Sequence, residues 1–536
     1  MDVAKTLTLS VLLASSGAYA SNTWIIRLKK ESQTASAQSI GLSSISQTRD
    51  RLLAFKQSRL SRKKGLLLPR TNFLVTEDLS PGEVKELRDD PSVAYVEQDI
   101  SWKTQDSAGD PSTWPSSFDQ AAWLHDLMGF SSSSPDPYVT PDLSKARTIV
   151  AVIDTGSRSD HPFLSAALEP NLAELNKDAG IDDDNNGFVD DIYGANAITR
   201  SGSGTESNSS HGTHVAGIIK TIRDHAISEF PEAAQVSILP VRFIGDDGSG
   251  STATAITALE YALARGASVV NASWGAKGNG AYSQALYDAF AKLYAADVFF
   301  AIAAGNADGT GANNNDAVPF FPANFNIPSL LSVASVTPSY NSALNRLVSL
   351  ELSSFSNFGT ATVQVAAPGD YSDGRGGSDG ILSAYSGFGA WGNLYIKKQG
   401  TSMASPVVAG IAAVMRAVNP TLTGFETKEL LVKSAHRYSS LSKIESSSLV
   451  HARDAILLAE NSVSEGTHPR LPSTPVRLNS SPETSPAQHV GGCGTVTPFK
   501  PQGPFGGNSL GLLSAGYALM VLVRARRKKV RPLKGV

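Results

Sequence analysis

The chain has 536 residues, 41% of them hydrophobic and 18% charged, enough for two or three domains and at least one large core. Its net charge of −3 is unevenly spread: residues 21–103 hold 14 basic and 10 acidic side chains, residues 104–493 hold 23 and 38, and residues 494–536 hold eight basic and no acidic ones. The main body therefore has no basic face of the kind a nucleic-acid footprint needs, and a single cysteine, Cys493, excludes an intramolecular disulfide.

Residues 1–20, MDVAKTLTLSVLLASSGAYA, read as a secretory signal: Lys5 precedes the apolar stretch Leu7–Leu13, and Ala18-Tyr19-Ala20 is an A-x-A cleavage site. Trp24 to Leu28 predicts a strand, and a polar, basic stretch follows to Arg70. Between Asn72 and Asp99, FLV and VAYVE predict strands flanking a helix, PGEVKELRDD, opened by Ser80-Pro81. Residues 21–103 thus form a small basic α/β module beside an acidic body, a suitable composition for an intramolecular inhibitor or chaperone. Residues 104–146 are rich in Ser, Pro and Asp and predict a linker with a loose N-terminal arm.

From residue 147 to 460 the pattern is α/β. Apolar runs such as TIVAVIDTG (148–156), VSILPVRFI (236–244), ASVVNASWG (267–275) and DVFFAIAAGN (297–306) alternate with helical patterns such as TATAITALEYALARG (252–266). Such runs predict a parallel sheet covered on both faces, with a site beyond the carboxyl ends of its strands. Residues 461–490 are Ser/Thr/Pro-rich and predict a disordered stalk. Residues 491–536 carry GGCG (491–494), the apolar segment LGLLSAGYALMVLV (510–523) and RARRKK (524–529).

Three motifs carry chemistry: VIDTG with Asp154, SSHGTHVAG with His211, and QGTSMASPVVAG with Ser402. Nucleophilic acyl transfer needs an acid, an imidazole and a hydroxyl, because serine is a weak nucleophile until an adjacent base takes its proton. A fourth, AAGN, supplies Asn306, whose amide can donate to a developing oxyanion. Pro406 is tolerated in a first helical turn, where a missing N–H would be unpaired. Ser405 competes with Ser402 as nucleophile; His214 lacks the HExxH spacing of a zinc site and reads as structural.

The order Asp, His, Ser on an α/β frame resembles the subtilisin-like proteases, over roughly residues 147–457, and the preceding module resembles their propeptide. The resemblance implies a subtilisin-like parallel sheet flanked by helices. It selects Ser402, directly after Gly-Thr and before Met-Ala, as nucleophile, with its own backbone N–H as second oxyanion donor. It also implies that Ser273-Trp274-Gly275 and Ala303-Ala304-Gly305 are edges that pair with an extended peptide. Trp274 is bulky for its position and is expected to narrow or cap the S1 pocket.

IDDDNNGFVDDIYG (181–194) places Asp182, Asp184, Asn186 and Asp190 at positions 1, 3, 5 and 9 of an EF-hand-like loop. Tyr193 stands at position 12, which excludes a full EF-hand; similar acidic inserts in subtilases bind calcium, which implies a structural Ca2+ here. The tail resembles bacterial C-terminal sorting signals cut by a processing peptidase, with a plain membrane anchor as the alternative. Together these features predict an exported, surface or membrane-sorted serine endopeptidase, a monomer made as a zymogen and acting on polypeptides. A peptide ligase on the same frame and a non-catalytic peptide-binding pseudoprotease are the alternatives.

Overall fold

In a computed structural model the chain is described at residues 19–29, 42–104, 111–112, 121–130, 138–175, 177–202, 204, 209–307, 313–341, 346–372, 380–387 and 394–477. Most of the signal segment, residues 478–490 of the stalk, and the tail with Cys493 lie outside the described residues.

The body is built on a ten-stranded sheet. Its order is His436–Arg437, Ser448–Leu449, Val365–Pro368, Leu330–Asn341, Phe299–Ala303, Val269–Ala272, Thr148–Asp154, Val236–Arg242 and Ala195–Asn196, with Arg346–Leu352 added as a hairpin partner of Leu330–Asn341. From Ser448–Leu449 to Ala195–Asn196 all neighbours are parallel. Every residue of Thr148–Asp154 is buried, because the strand faces a core on each side. Val150 and Val152 join one core with helices His211–Ile227, Thr401–Val418 and Ala452–Glu460. Ile149, Ala151 and Ile153, pointing the other way, join a second core with helices Thr252–Ala264 and Gln284–Tyr294. The two-residue alternation of a strand inside a continuous apolar run is what a doubly covered sheet requires.

The N-terminal module is an antiparallel sheet in which Tyr19–Leu28 lies between Phe73–Glu77 and Val93–Thr104, with Gly65–Leu68 beyond. Helix Pro81–Asp89 opens as its sequence predicts, with Ser80 and Glu83 forming a capping box. A second helix, Leu42–Arg59, occupies what reads as a polar stretch; it buries little beyond Leu52 and Phe55, too sparse an apolar stripe to be seen in the sequence. Ile26, Leu74 and Val96 face these helices in a core of their own. Ile25, Phe73, Val75 and Trp102 face the body and enter its second core.

Two segments differ from expectation. The arm before residue 146 is anchored: Leu124, Leu127, Met128 and Phe130 insert into the first body core. Asn461 to Arg477, expected as the start of a disordered stalk, is laid along the body instead. Glu426 there accepts Ser464 Oγ and the N–H groups of Glu465 and Thr467, and Val476 bridges to Phe325. Those bonds run through backbone and small polar side chains, so the composition gives no sign of them.

Candidate active site

Asp154 ends the strand Thr148–Asp154, and Ser273 follows the strand Val269–Ala272. These strands are parallel with Asn271 opposite Val152, and Asp154 and Ser273 each lie two residues further on, at the carboxyl ends of neighbouring strands. His211 opens its helix, and its Nδ1 lies 2.6 Å from Asp154 Oδ1, which also accepts the Thr155 N–H at 2.7 Å. Both side chains are buried. A carboxylate on Nδ1 holds the proton there and leaves Nε2 as the basic nitrogen. The approach depends on two glycines: a Cβ on Gly212 would stand 2.0 Å from the carbonyl oxygen of Gly156.

Ser402 is the second residue of helix Thr401–Val418. It is tied to Ser273 twice: its Oγ donates to the Ser273 carbonyl at 2.8 Å, and Ser273 Oγ donates to the Ser402 carbonyl at 3.0 Å. The second bond explains the proline. Pro406 lies inside the helix, beyond the first turn, four residues after Ser402. An ordinary residue there would donate its N–H to the Ser402 carbonyl; proline has none, and Ser273 takes the acceptor. Ser405 is committed elsewhere, donating to Asn271 Oδ1 at 2.8 Å. Asn306 Oδ1 accepts both the N–H and the Oγ–H of Thr401, at 3.0 and 2.9 Å. With its oxygen fixed by a backbone donor, the amide presents its N–H2 away from Thr401.

A strand of the N-terminal module crosses this region. Within Val93–Thr104, Lys103 and Thr104 pair antiparallel with Gly275 and Trp274, and Ser101, Trp102 and Lys103 pair with Ser251, Gly250 and Ser249. One expected edge, Ser273 to Gly275, thus receives a strand. The other edge is Ser249–Ser251, which the sequence reading missed. Among the described residues no strand of the module pairs with Ala303, Ala304 or Gly305; Ala304 gives its N–H to the Val333 carbonyl and accepts Asn315 Nδ2 at its own carbonyl. Trp274 does not cap a pocket beside Ser402. Its Nε1 donates to the Ile153 carbonyl at 2.8 Å, and its ring packs edge-on against Phe243 and Trp102, with centroids 4.7 and 5.6 Å away. Trp102 is fully buried and donates from Nε1 to Thr252 Oγ1 at 3.0 Å.

The module also meets the ends of two body helices. Asp99 Oδ1 accepts the Ala253 N–H and Glu97 Oε2 accepts the Ala285 N–H, each in the first turn of its helix. Burial pushes the Asp99 carboxyl up to about 6 and also raises Glu97.

In the acidic loop, the carboxylates of Asp182 and Asp184 converge with that of Glu174, a residue outside the motif. Asn186 spans Asp184 and Asp191 through its Nδ2, at 3.0 and 2.9 Å. Asp190 turns away to accept the Gly180 N–H. Burial raises the Glu174 carboxyl, and the like charges of Asp191 and Asp184 push in the same direction. Three converging carboxylates in an all-oxygen setting suit a hard cation, so the loop fits calcium through Glu174, Asp182 and Asp184 rather than through Asp190. His214 is structural as expected: its Nε2 lies 2.9 and 3.1 Å from the carbonyls of Ile381 and Ile396, bridging two strands.

With this geometry in view, comparison with known proteins is specific. The subtilase family (peptidase S8) matches residues 145–465. The chain is 29% identical over 313 residues to Subtilisin-like protease 1 of Plasmodium vivax, covering 57% of this chain and 46% of that protein. It is 28% identical over 385 residues to Subtilisin NAT of Bacillus subtilis subsp. natto, covering 71% and 81%. The chain spans about half the length of the Plasmodium relatives it matches. Among solved structures it resembles fervidolysin from Fervidobacterium pennivorans, a keratinolytic enzyme related to subtilisin, with a TM-score of 0.54, 19% identity, and coverage of 85% of this chain and 62% of that one.

Proposed function

The chain belongs to the subtilase family, with the subtilisin-like α/β fold, and on that footing we propose that it is a serine endopeptidase, exported as a zymogen and acting through Ser402. The observation that carries this reading is the buried Asp154–His211 pair, with Ser402 clamped to the end of the strand that neighbours the Asp154 strand. Ser402 Oγ turns from the Ser273 carbonyl to His211, loses its proton to Nε2 and attacks the peptide carbonyl carbon. Asp154 keeps the imidazole oriented and stabilises its charged form. The Asn306 amide and the Ser402 backbone N–H receive the oxyanion. His211 then protonates the leaving amine, and water hydrolyses the acyl-enzyme by the reverse sequence.

A polypeptide substrate is supported by the strand at Ser101 to Thr104, an extended segment paired with both Ser249–Ser251 and Trp274-Gly275, and a substrate would add in the same way. In the zymogen that place is held by the chain's own residues 21–103, acting as inhibitor. Calcium at Glu174, Asp182 and Asp184 would brace the loop between Asp154 and His211, in a chain without disulfides. Residues 491–536 serve a sorting peptidase or a membrane anchor, and the enzyme works outside the cell as a monomer.

The test is expression of the full chain with and without Ser402→Ala, followed by mass and by hydrolysis of an unfolded protein. Wild type should release an N-terminal fragment, leave a body beginning between Gln105 and Pro111, and digest the protein; the variant should do neither. If both forms stay intact and inactive in calcium, the protease reading fails.

A further inference from the structure

At one edge of the sheet, three side chains that the mechanism does not use converge. His436 begins the two-residue edge strand His436–Arg437, which pairs antiparallel with Ser448–Leu449. His451 is the N-cap of helix Ala452–Glu460, and Asp454 lies in its first turn. Asp454 Oδ2 stands 2.8 Å from His436 Nε2 and 3.3 Å from His451 Nδ1. One donor atom from each of the three residues falls within 4.8 Å of the others.

Capping explains the Asp454 N–H bond to His451 and ion pairing explains the His436–Asp454 contact, but neither explains the approach of His451 Nδ1 to Asp454 Oδ2. Serine, threonine, aspartate and asparagine are the usual N-caps, and histidine is not among them. The Asp454 backbone N–H donates to His451 Nδ1 at 3.3 Å, so that nitrogen carries a lone pair and no proton. Its contact with Asp454 Oδ2 is therefore between two acceptors, a repulsion that a cation between them would relieve. The ring is also held in that sense from behind. Gly129 has φ +77, and a Cβ there would stand 2.5 Å from His451 Cε1 and 2.8 Å from Nε2. Only a glycine lets the Nε2 side lie against the chain while Nδ1 faces the carboxylate. The nearby cation, Arg453, is neutralised by Glu229, with Nε 3.0 Å from Oε2.

We infer that His436, His451 and Asp454 form a binding site for a borderline divalent transition ion, zinc first. Two imidazoles and one carboxylate suit zinc and not calcium, which takes six to eight oxygens. Zinc bonds of about 2.0–2.1 Å in a tetrahedron set donor atoms about 3.3 Å apart, close to the 2.8 and 3.3 Å seen here. The two rings now stack, 10° from parallel with centroids 4.1 Å apart. His436 is exposed and turns about its side-chain bonds to aim Nε2 at the ion, and water fills the fourth position. The ion would pin the sheet's edge strand to helix Ala452–Glu460, which already receives Met128 through the Arg453 N–H.

The experiment is a calorimetric titration of the full chain carrying Ser402→Ala with zinc chloride, in saturating calcium, followed by cobalt(II) with its visible spectrum recorded. One zinc per chain is expected, with a tetrahedral cobalt spectrum. His436→Ala, and His451→Asn, which keeps a capping oxygen, should each weaken zinc by about tenfold or more and abolish that spectrum. His436 is exposed, so its variant should match the parent's melting temperature in chelator, which separates lost binding from lost folding. No zinc binding by the parent, unchanged affinity in both variants, or a spectrum of the octahedral aqua ion would each overturn the inference.

Discussion

Replacing Trp102 by alanine tests whether the N-terminal module inhibits through one dominant side chain. Trp102 is fully buried, packs edge-on against Trp274 and donates to Thr252. Truncating a buried tryptophan costs about 3–5 kcal/mol. At 1.4 kcal/mol per tenfold, the module should bind the body about 10²- to 10⁴-fold more weakly. The side chain points into the body core, while the module's own core is built from Ile26, Leu74 and Val96 among others, so the variant module should still fold. The assay adds wild-type or Trp102→Ala residues 21–104 to mature body and follows hydrolysis of a small chromogenic peptide. Leu74→Ala serves as the contrast that unfolds the module. A shift in inhibition constant below tenfold, with circular dichroism unchanged, would refute the reasoning.

Asp154→Asn should leave the fold intact and lower kcat by about 10⁴-fold, because the amide favours the wrong imidazole tautomer; an activity loss below tenfold would remove Asp154 from this role. Asn306→Ala should lower kcat by about 10²–10³-fold with little change in KM, a magnitude measured in subtilisin itself; stopped assays over substrate concentration separate the two. Asp99 has its carboxyl raised to about 6 by burial against the body. The docked module therefore holds that proton more tightly than the free one, so this contribution is full below the ordinary carboxylate range and fades as pH rises through about 6. Inhibition measured from pH 4 to 8 should weaken with rising pH, and Asp99→Asn should flatten that slope. Removing calcium with chelator should lower the melting temperature, and Asp182→Ala should erase the difference while Asp190→Ala should not.

The parallel sheet was legible because strands such as Thr148–Asp154 bury both faces and so read as unbroken apolar runs. Asp154 and His211 were legible because their pairing is carried by short local motifs, and they do meet in space. The missing parts are those that no local pattern encodes. Ser249–Ser251 is three small residues whose importance comes only from lying across the cleft from Trp274. Glu174 joins Asp182 and Asp184 from outside their loop. Trp274 looks like a specificity residue in the sequence, but its partners, Ile153, Phe243 and Trp102, come from three other parts of the chain. Helix Leu42–Arg59 has too few buried residues to show a stripe.

The three-stranded ribbon at the cleft has a removable middle. When Val93–Thr104 leaves, Ser249–Ser251 and Trp274-Gly275 each expose unpaired backbone donors and acceptors, the kind of surface that recruits other chains into aggregates. Both edges are only three or four residues long, and each carries a glycine, Gly250 or Gly275, whose missing side chain leaves room for an aromatic ring, Phe243 or Phe320, against the backbone. A Cβ on Gly275 would stand 2.2 Å from the Phe320 ring, so that edge cannot take a side chain there. A lone open edge admits a growing stack of strands, whereas a gap between two fixed edges takes one strand and is then full. With Val93–Thr104 gone, the arrangement thus offers pairing to one extended chain and leaves no edge for a second.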